Sequence, residues 1–167
     1  MMKIQVLFGT ESGNAEVAAE DLAQSVRNDG QEVEVQDLSS FSIAELQHDS
    51  MYVFLCSTYG EGDLPNTALP FYADLSVVRP DLSGMRYAMF GLGDTFYTET
   101  YGHGATKLDD KLTELGAQRV GKIGRYDAST WEPVGECAVA WFAGVLEDVS
   151  AVRWLQRIGQ HGLDPAA

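Results

Sequence analysis

The sequence has few of the residues that mark several common protein classes. Its two cysteines, Cys56 and Cys137, show no paired spacing, which excludes a disulfide framework and a cysteine-based metal site. No apolar run reaches the roughly 18 residues that a membrane-spanning helix needs. The opening residues MMKIQVLFGT lack the regions of a signal peptide. We therefore expect a cytoplasmic protein with no membrane contact.

Basic residues are scarce as well. The chain has 11 Lys and Arg against 25 Asp and Glu, a formal net charge of −14. Such a charge repels nucleic acid backbones and anionic membrane surfaces. It favours a basic protein partner, because an acidic surface steers encounter with a positive one. Charge also keeps small proteins in solution, so no single acidic residue is assigned to a partner.

Two nucleotide-binding motifs and a metal site are also missing. Gly-Lys-Ser and Gly-Lys-Thr do not occur, which disfavours a nucleoside triphosphate loop. No Gly-x-Gly-x-x-Gly follows the first predicted strand, which disfavours a dinucleotide-binding fold. His48, His103 and His161 stand alone without ligand spacing, so we expect no metal.

The pattern that is present alternates short apolar runs with segments of helical periodicity. The 167 residues, 45% of them hydrophobic, fit one globular domain. The predicted strands are residues 4–8, 32–36, 51–56, 86–90 and 119–124, and the predicted helices are residues 14–28, 67–77, 105–115 and 132–149. This alternation predicts an α/β fold with a doubly wound, five-stranded parallel sheet and helices on both faces. We assign residues 1–149 to the domain and residues 150–167 to a helical extension that becomes a tail at residue 159.

Three loops that follow strand ends carry the candidate site. In open α/β sheets, ligands bind beyond the carboxyl ends of the strands, so these loops should converge. The first, Thr10–Ala15, has hydroxyls at Thr10 and Ser12, and Gly13 permits close backbone approach at a helix start. These features favour a single phosphate group, although the same residues are also typical of a helix cap.

The second and third loops add aromatic rings. Tyr59 stands between a buried strand and Gly60, and Tyr97 follows Gly91-Leu92-Gly93-Asp94. Two rings that face each other would form a slot for a flat heterocycle, each stacking contact contributing about 1 kcal/mol. Gly60 and Gly62 allow a peptide to change its orientation beside such a ligand. Either tyrosine taken alone could be structural.

These segments, in this order, resemble the flavodoxin family. The similarity covers residues 3 to about 147 and is greatest to the FMN-binding domains of sulfite reductase flavoprotein, cytochrome P450 reductase and nitric oxide synthase. The motifs are Thr10–Glu16, Ser57–Asp63, Gly91–Asp94 and Leu115–Arg119. The resemblance implies a strand order of 2-1-3-4-5, one bound FMN, and an electron carrier in which no side chain acts as a catalyst.

The resemblance also implies the site residues. The FMN contacts would be Thr10, Glu11, Ser12, Gly13, Asn14 and Ala15 at the phosphate, Ser57, Thr58, Tyr59, Gly60 and Gly62 beside the ring, Leu92, Gly93 and Asp94 after the next strand, Tyr97 or Tyr101 on the other ring face, and Asp127 near the ribityl chain or ring edge. We favour Tyr97 over Tyr101. Acidic residues near the ring would disfavour the negative charge that a flavin gains on reduction.

The expected partners are a basic, NADPH-dependent flavoprotein reductase and a redox protein acceptor, with the chain itself a monomer. The alternatives are an excised FMN module of a diflavin reductase and an FMN-dependent oxidoreductase such as a quinone reductase. A phosphate-activated signalling receiver is disfavoured, because Gly9-Thr10 and Ser57-Thr58 stand where it needs acidic residues.

Overall fold

The computed structural model describes residues 3–94 and 102–161. Its strands and helices are β1 (Lys3–Gly9), α1 (Asn14–Asn28), β2 (Val33–Asp37), β3 (Ser50–Ser57), α2 (Leu69–Val78), β4 (Arg86–Gly93), α3 (His103–Glu114), β5 (Gln118–Arg119), β6 (Gly124–Asp127) and α4 (Val134–His161). Short 3₁₀ turns lie at Leu38–Ser40, Ile43–Glu45, Asn66–Ala68 and Ala128–Thr130. Within these ranges, none of the helices combines the length and the apolar character that a membrane span requires.

The strands form one parallel sheet in the order β2-β1-β3-β4-β5, which confirms the predicted order. The last position is shared, because β6 also pairs with β4 in parallel. The single last strand predicted at residues 119–124 is therefore wrong. The chain leaves the sheet before Gly121, whose φ of +74° is incompatible with strand geometry. It returns at Gly124, where the Trp141 and Phe90 rings leave no space for a side chain.

Alternate residues of the central strands face two separate helix layers. Met51, Val53 and Leu55 of β3 belong to the core cluster that includes α1 and α4. Phe54 and Cys56 belong to the cluster that includes α2 and α3. The sheet is thus covered on both faces, as predicted. Burial raises the pKa of Cys56 to about 12, so this thiol is an unreactive core group.

Two elements are longer than predicted. Strand β4 continues to Gly93, so the segment Gly91–Gly93 is strand and not loop. Leu92 explains this, since it is buried in the core and continues the alternation of the strand. Helix α4 runs without a break to His161, past the predicted helix end at residue 149 and the predicted tail start at residue 159. No proline interrupts it.

Candidate functional site

Three neighbouring strands end side by side, and the candidate loops begin there. In the register of the sheet, Gly9 of β1 lies opposite Cys56 of β3, which in turn lies opposite Gly91 of β4. Asp127, the last residue of β6, lies opposite Gly93. The sheet therefore brings the first and second loops, the end of β4 and Asp127 to one edge, as the sequence predicted.

The first loop, Thr10–Ala15, presents backbone donors at the start of α1. Gly13 is the N-terminal cap residue with a φ of +91°, and no side chain caps this helix. Its own N–H donates to Thr10 Oγ1 over 2.9 Å. The N–H groups of Ser12, Asn14 and Ala15 meet no hydrogen-bond acceptor among residues 3–94 and 102–161. The loop is thus not closed by side-chain capping, and its amides favour an anion at the positive end of a helix dipole.

The second loop is a tight turn closed by its own backbone. Tyr59 and Asp63 exchange two N–H to carbonyl hydrogen bonds, both 2.8 Å long. Gly60 and Gly62 lie between them with φ values of +55° and +91°. The Tyr59 side chain is 51% exposed, so its ring fills no core position. The ring is exposed at this edge of the sheet, where it is available to stack on a planar ligand.

The start of α3 packs against the second loop. The Gly104 N–H donates to Thr58 Oγ1 over 3.1 Å, and a Cβ on Gly104 would overlap the Ser57 carbonyl oxygen. The exposed His103 ring lies against Gly62, where an added Cβ would be 3.0 Å from Nδ1. Sequence reasoning missed both contacts, and the available signal was the pair of glycines around His103.

The acidic residues near the second loop differ in their surroundings. Asp63 forms an ion pair with Lys107 Nζ over 3.3 Å, so a cation compensates its charge. Glu61 is exposed at the tip of the turn. The positive charge of Lys107 weakens the effect that the Asp63 carboxylate would have on a ring bound beside the turn.

The third loop starts at Asp94, which is half-buried. Tyr97 and Tyr101 lie outside the described residues, so the second wall of the slot stays a prediction. The Leu92 carbonyl accepts a hydrogen bond from the Thr58 N–H over 3.1 Å, which ties β4 to the second loop. In the predicted segment Gly91–Asp94, Leu92 thus contributes its carbonyl to the second loop and its side chain to the core.

Asp127 lies at the end of β6, beside the end of β4. Its carboxylate accepts hydrogen bonds from the Ser129 N–H over 3.0 Å and from Ser129 Oγ over 2.8 Å. It thereby caps the 3₁₀ turn Ala128–Thr130. This capping fixes where the carboxylate stands at the edge of the candidate site.

The donor set of the site fits a phosphate-bearing ligand. The start of α1 carries backbone N–H groups and the hydroxyls of Thr10 and Ser12. The space around Gly13 is open, since a Cβ added there would meet nothing within 4 Å.

Among the described residues, no group of three or more His, Cys, Asp and Glu side chains is arranged to hold a metal ion.

Comparison with known proteins places the chain among related sequences. A family model described as flavodoxin matches residues 6–141. The chain is 33% identical over 153 residues to the NADPH-dependent diflavin oxidoreductase 1 of Schizosaccharomyces pombe, a match that covers 90% of this chain and 26% of that protein. It is 32% identical over 149 residues to the sulfite reductase [NADPH] flavoprotein alpha-component of Bacillus subtilis, covering 89% of this chain and 24% of that protein. The chain thus spans about a quarter of the length of these curated relatives.

Solved structures show the same fold over nearly their full length. Oxidised flavodoxin 2 from Bacillus cereus superposes with a TM-score of 0.76 at 29% identity, covering 87% of this chain and 98% of that one. A cysteine-to-serine mutant of flavodoxin from Pseudomonas aeruginosa gives a TM-score of 0.75 at 28% identity, covering 87% of this chain and 99% of that one.

Fold and site together define a doubly wound α/β protein with open backbone donors, suited to an anion, at the carboxyl edge of its sheet. The family match and the solved structures make the class specific, and the chain belongs to the flavodoxin family. It is a flavodoxin-like FMN-binding domain with a role in electron transfer.

Proposed function

We propose that this chain is a one-FMN electron carrier that accepts electrons from a basic, NADPH-dependent flavoprotein reductase and delivers them to a redox protein acceptor. It acts as a monomer and catalyses no substrate reaction of its own. The observation that carries this proposal is the set of open N–H groups at Ser12, Asn14 and Ala15, at the same sheet edge as the Tyr59 turn. We also propose that the protein works in the reducing cytoplasm, which agrees with its two free cysteines.

The phosphate end of the site would be held by the first loop. Backbone donors and the positive end of the α1 dipole stabilise an anion without a cationic side chain. The Glu11 carboxylate is directed to the Asn66 N–H, from which it accepts a hydrogen bond. Residues 10–15 would therefore orient the cofactor by its phosphate.

The ring end would be held by the second and third loops. Ser57, Thr58, Tyr59, Gly60 and Gly62 would line one side, with Tyr59 against a ring face. The other side would be formed by Leu92, Gly93, Asp94, Asp127 and Tyr97 or Tyr101. When bound, FMN supplies reversible electron transfer, and the protein tunes its potential through hydrogen bonds and nearby charge.

The partner side of the proposal comes from charge. The chain carries a formal charge of −14, and Glu11, Glu16 and Glu61 are exposed on or next to the two loops. A basic partner would be steered to this edge at low salt, and screening would slow the encounter as ionic strength rises. Exposed apolar side chains at Val17, Tyr59 and Leu69 offer contact area once the partner has arrived.

A second candidate is the FMN module of a larger reductase. It is favoured by the relatives, of which this chain covers 26% and 24%. In that case electrons would reach the site from a flavoprotein domain of the same polypeptide rather than from a separate protein. The site chemistry would be the same in both cases.

The test is reduction of the FMN-reconstituted chain, followed by visible absorbance. We expect one FMN per chain, no reduction by NADPH alone, reduction once a basic flavoprotein reductase is added, and reoxidation by a basic haem protein at a rate that falls with salt. Retention of no flavin would overturn the cofactor assignment. Turnover of NADPH with a quinone by the chain alone would show an enzyme instead of a carrier.

A further inference from the structure

The first loop is fastened by a segment far away in the sequence. The Thr10 N–H donates to Thr67 Oγ1 over 2.8 Å, and the Thr67 hydroxyl donates back to the Thr10 carbonyl over 3.3 Å. One side chain therefore holds both backbone groups of the residue that opens the loop. Thr67 is half-buried, which protects these bonds from competition with water.

A second contact holds the next residue of the loop. The Glu11 carboxylate accepts a hydrogen bond from the Asn66 N–H and a longer one from Asn66 Nδ2 at 3.5 Å. Asn66 and Thr67 lie in the same 3₁₀ turn. Thr10 and Glu11 are thus tied to consecutive residues of one short piece of backbone, and we call this turn, Asn66–Ala68, the clamp.

The clamp also packs against the strand that precedes the loop. A Cβ on Gly9 would lie 2.8 Å from the Ala68 Cβ and 3.3 Å from the Pro65 Cγ. Only glycine lets β1 and the clamp approach this closely. The clamp follows the Tyr59–Asp63 turn closely in the sequence, so the same stretch of chain connects the ring end of the site to its phosphate end.

These bonds decide which amides remain for a ligand. The N–H of Thr10 is taken by Thr67, and the N–H of Gly13 is taken by Thr10 Oγ1. Among the described residues, the N–H groups of Glu11, Ser12, Asn14 and Ala15 have no acceptor and remain as donors. Their direction depends on Thr10, because Thr10 fixes where the loop leaves β1. A phosphate needs several such donors aimed at one point.

We propose that Thr67 is a positioning residue that sets the geometry of the phosphate-binding loop, and that its hydroxyl thereby determines how strongly the chain prefers FMN to riboflavin. The inference rests on the proposed function and assigns a role to a residue that touches no reacting atom. Riboflavin carries the same ring without the phosphate, so it reports on the ring end alone.

The test compares dissociation constants of FMN and riboflavin for the unsubstituted apoprotein and for Thr67→Val, Thr67→Ser and Thr113→Val. Valine keeps the shape of threonine and removes the hydroxyl. We expect Thr67→Val to weaken FMN by about tenfold and riboflavin by less than about twofold, since it removes two hydrogen bonds to the loop. Thr67→Ser should restore most of the FMN affinity. Thr113→Val is the matched control, because within the part of the chain that the structure describes its hydroxyl bonds only to carbonyls of α3.

Equal weakening of both ligands by Thr67→Val, or of neither, would overturn the inference. If the unsubstituted chain itself shows no preference for FMN, the proposed phosphate site fails instead, whatever Thr67 does. If circular dichroism shows that Thr67→Val does not fold, the test instead compares the FMN affinities of Glu11→Ala and Glu11→Gln. The Gln variant keeps an acceptor for Asn66, and the Ala variant does not. We then expect the Ala variant to bind FMN about threefold more weakly than the Gln variant, with equal riboflavin affinity; equal FMN affinity would count against the clamp.

Discussion

The two ends of the site are built by different means. At the phosphate end, groups of the clamp hold the loop across a long sequence separation, which is 57 residues between Thr67 and Thr10. At the ring end, the Tyr59–Asp63 turn closes on its own backbone and rests on the backbone of α3. A Cβ added to Gly60, whose φ is +55°, would lie 3.9 Å from Asp63 Oδ2, which is an ordinary van der Waals contact. We therefore predict that the two ends respond differently to substitution: changes in the first loop should weaken FMN more than riboflavin, and changes at the turn should weaken both alike.

The largest effect is expected where the ring end meets α3. Gly104→Ala would place a Cβ into the Ser57 carbonyl, and overpacking against backbone costs about 3 kcal/mol. We expect a lower melting temperature, with FMN and riboflavin both weakened. Gly144→Ala in α4 is the control, because its Cβ would meet nothing within 4 Å and alanine favours helix. A Gly104→Ala variant that binds both flavins normally would show that the turn does not depend on α3.

The next largest effect is expected at Gly13, where backbone strain in the phosphate loop should lower FMN affinity. Gly13→Ala forces a side chain into a φ of +91°, at a cost of about 1–2 kcal/mol. FMN should bind more weakly, and riboflavin should change little. Gly30→Ala is the matched control at a φ of +83°, also with open space around it but at the far end of α1. It should cost similar stability in a thermal melt and leave FMN binding unchanged; a loss of FMN affinity there would mean that α1 strain, and not the loop, matters.

A smaller effect is expected for the ring of Tyr59. Tyr59→Ala removes a stacking contact of about 1 kcal/mol, so FMN and riboflavin should weaken by the same factor, about fivefold. Tyr59→Phe keeps the ring and should leave both unchanged. The measurement is fluorescence titration of each apoprotein. Unequal losses for the two ligands would place Tyr59 at the phosphate end, and no loss would make the ring structural.

The smallest effect concerns the ion pair at the ring end. Lys107→Gln removes the partner of Asp63, and exposed pairs are worth less than about 1 kcal/mol. We expect a small loss of stability, like that of Arg79→Gln in the exposed Arg79–Glu114 pair, and FMN affinity within about twofold of the unsubstituted chain. A tenfold loss of FMN affinity in Lys107→Gln alone would show that charge, and not backbone bonding, holds the turn.

Local patterns predicted most of the fold. The buried run of β3 and the helical spacing in α1 are properties of neighbouring residues, and the structure has both. The end of β4 was missed because glycines at 91 and 93 are typical of a turn, whereas Leu92 between them fills the core. The split of the last strand was missed because the residue pattern shows neither that Gly121 takes a φ of +74° nor that Trp141 packs over Gly124.

The site was predicted as three loops, and its supports were not. Thr67 follows Pro65-Asn66 and resembles a residue at a helix start, which is how its position was interpreted. Its bond to Thr10 joins residues 57 apart, so only the fold brings them together. The same holds for Gly104 beneath Thr58, which is 46 residues away.

Titration of the unsubstituted apoprotein with FMN and with riboflavin tests the central claim most directly. Two or more charge-assisted hydrogen bonds from the first loop to a phosphate are worth at least about 3 kcal/mol, or roughly a hundredfold in affinity. The account predicts one FMN per chain, bound at least about a hundredfold more tightly than riboflavin. Equal affinity for the two flavins, or no binding of either, would contradict it.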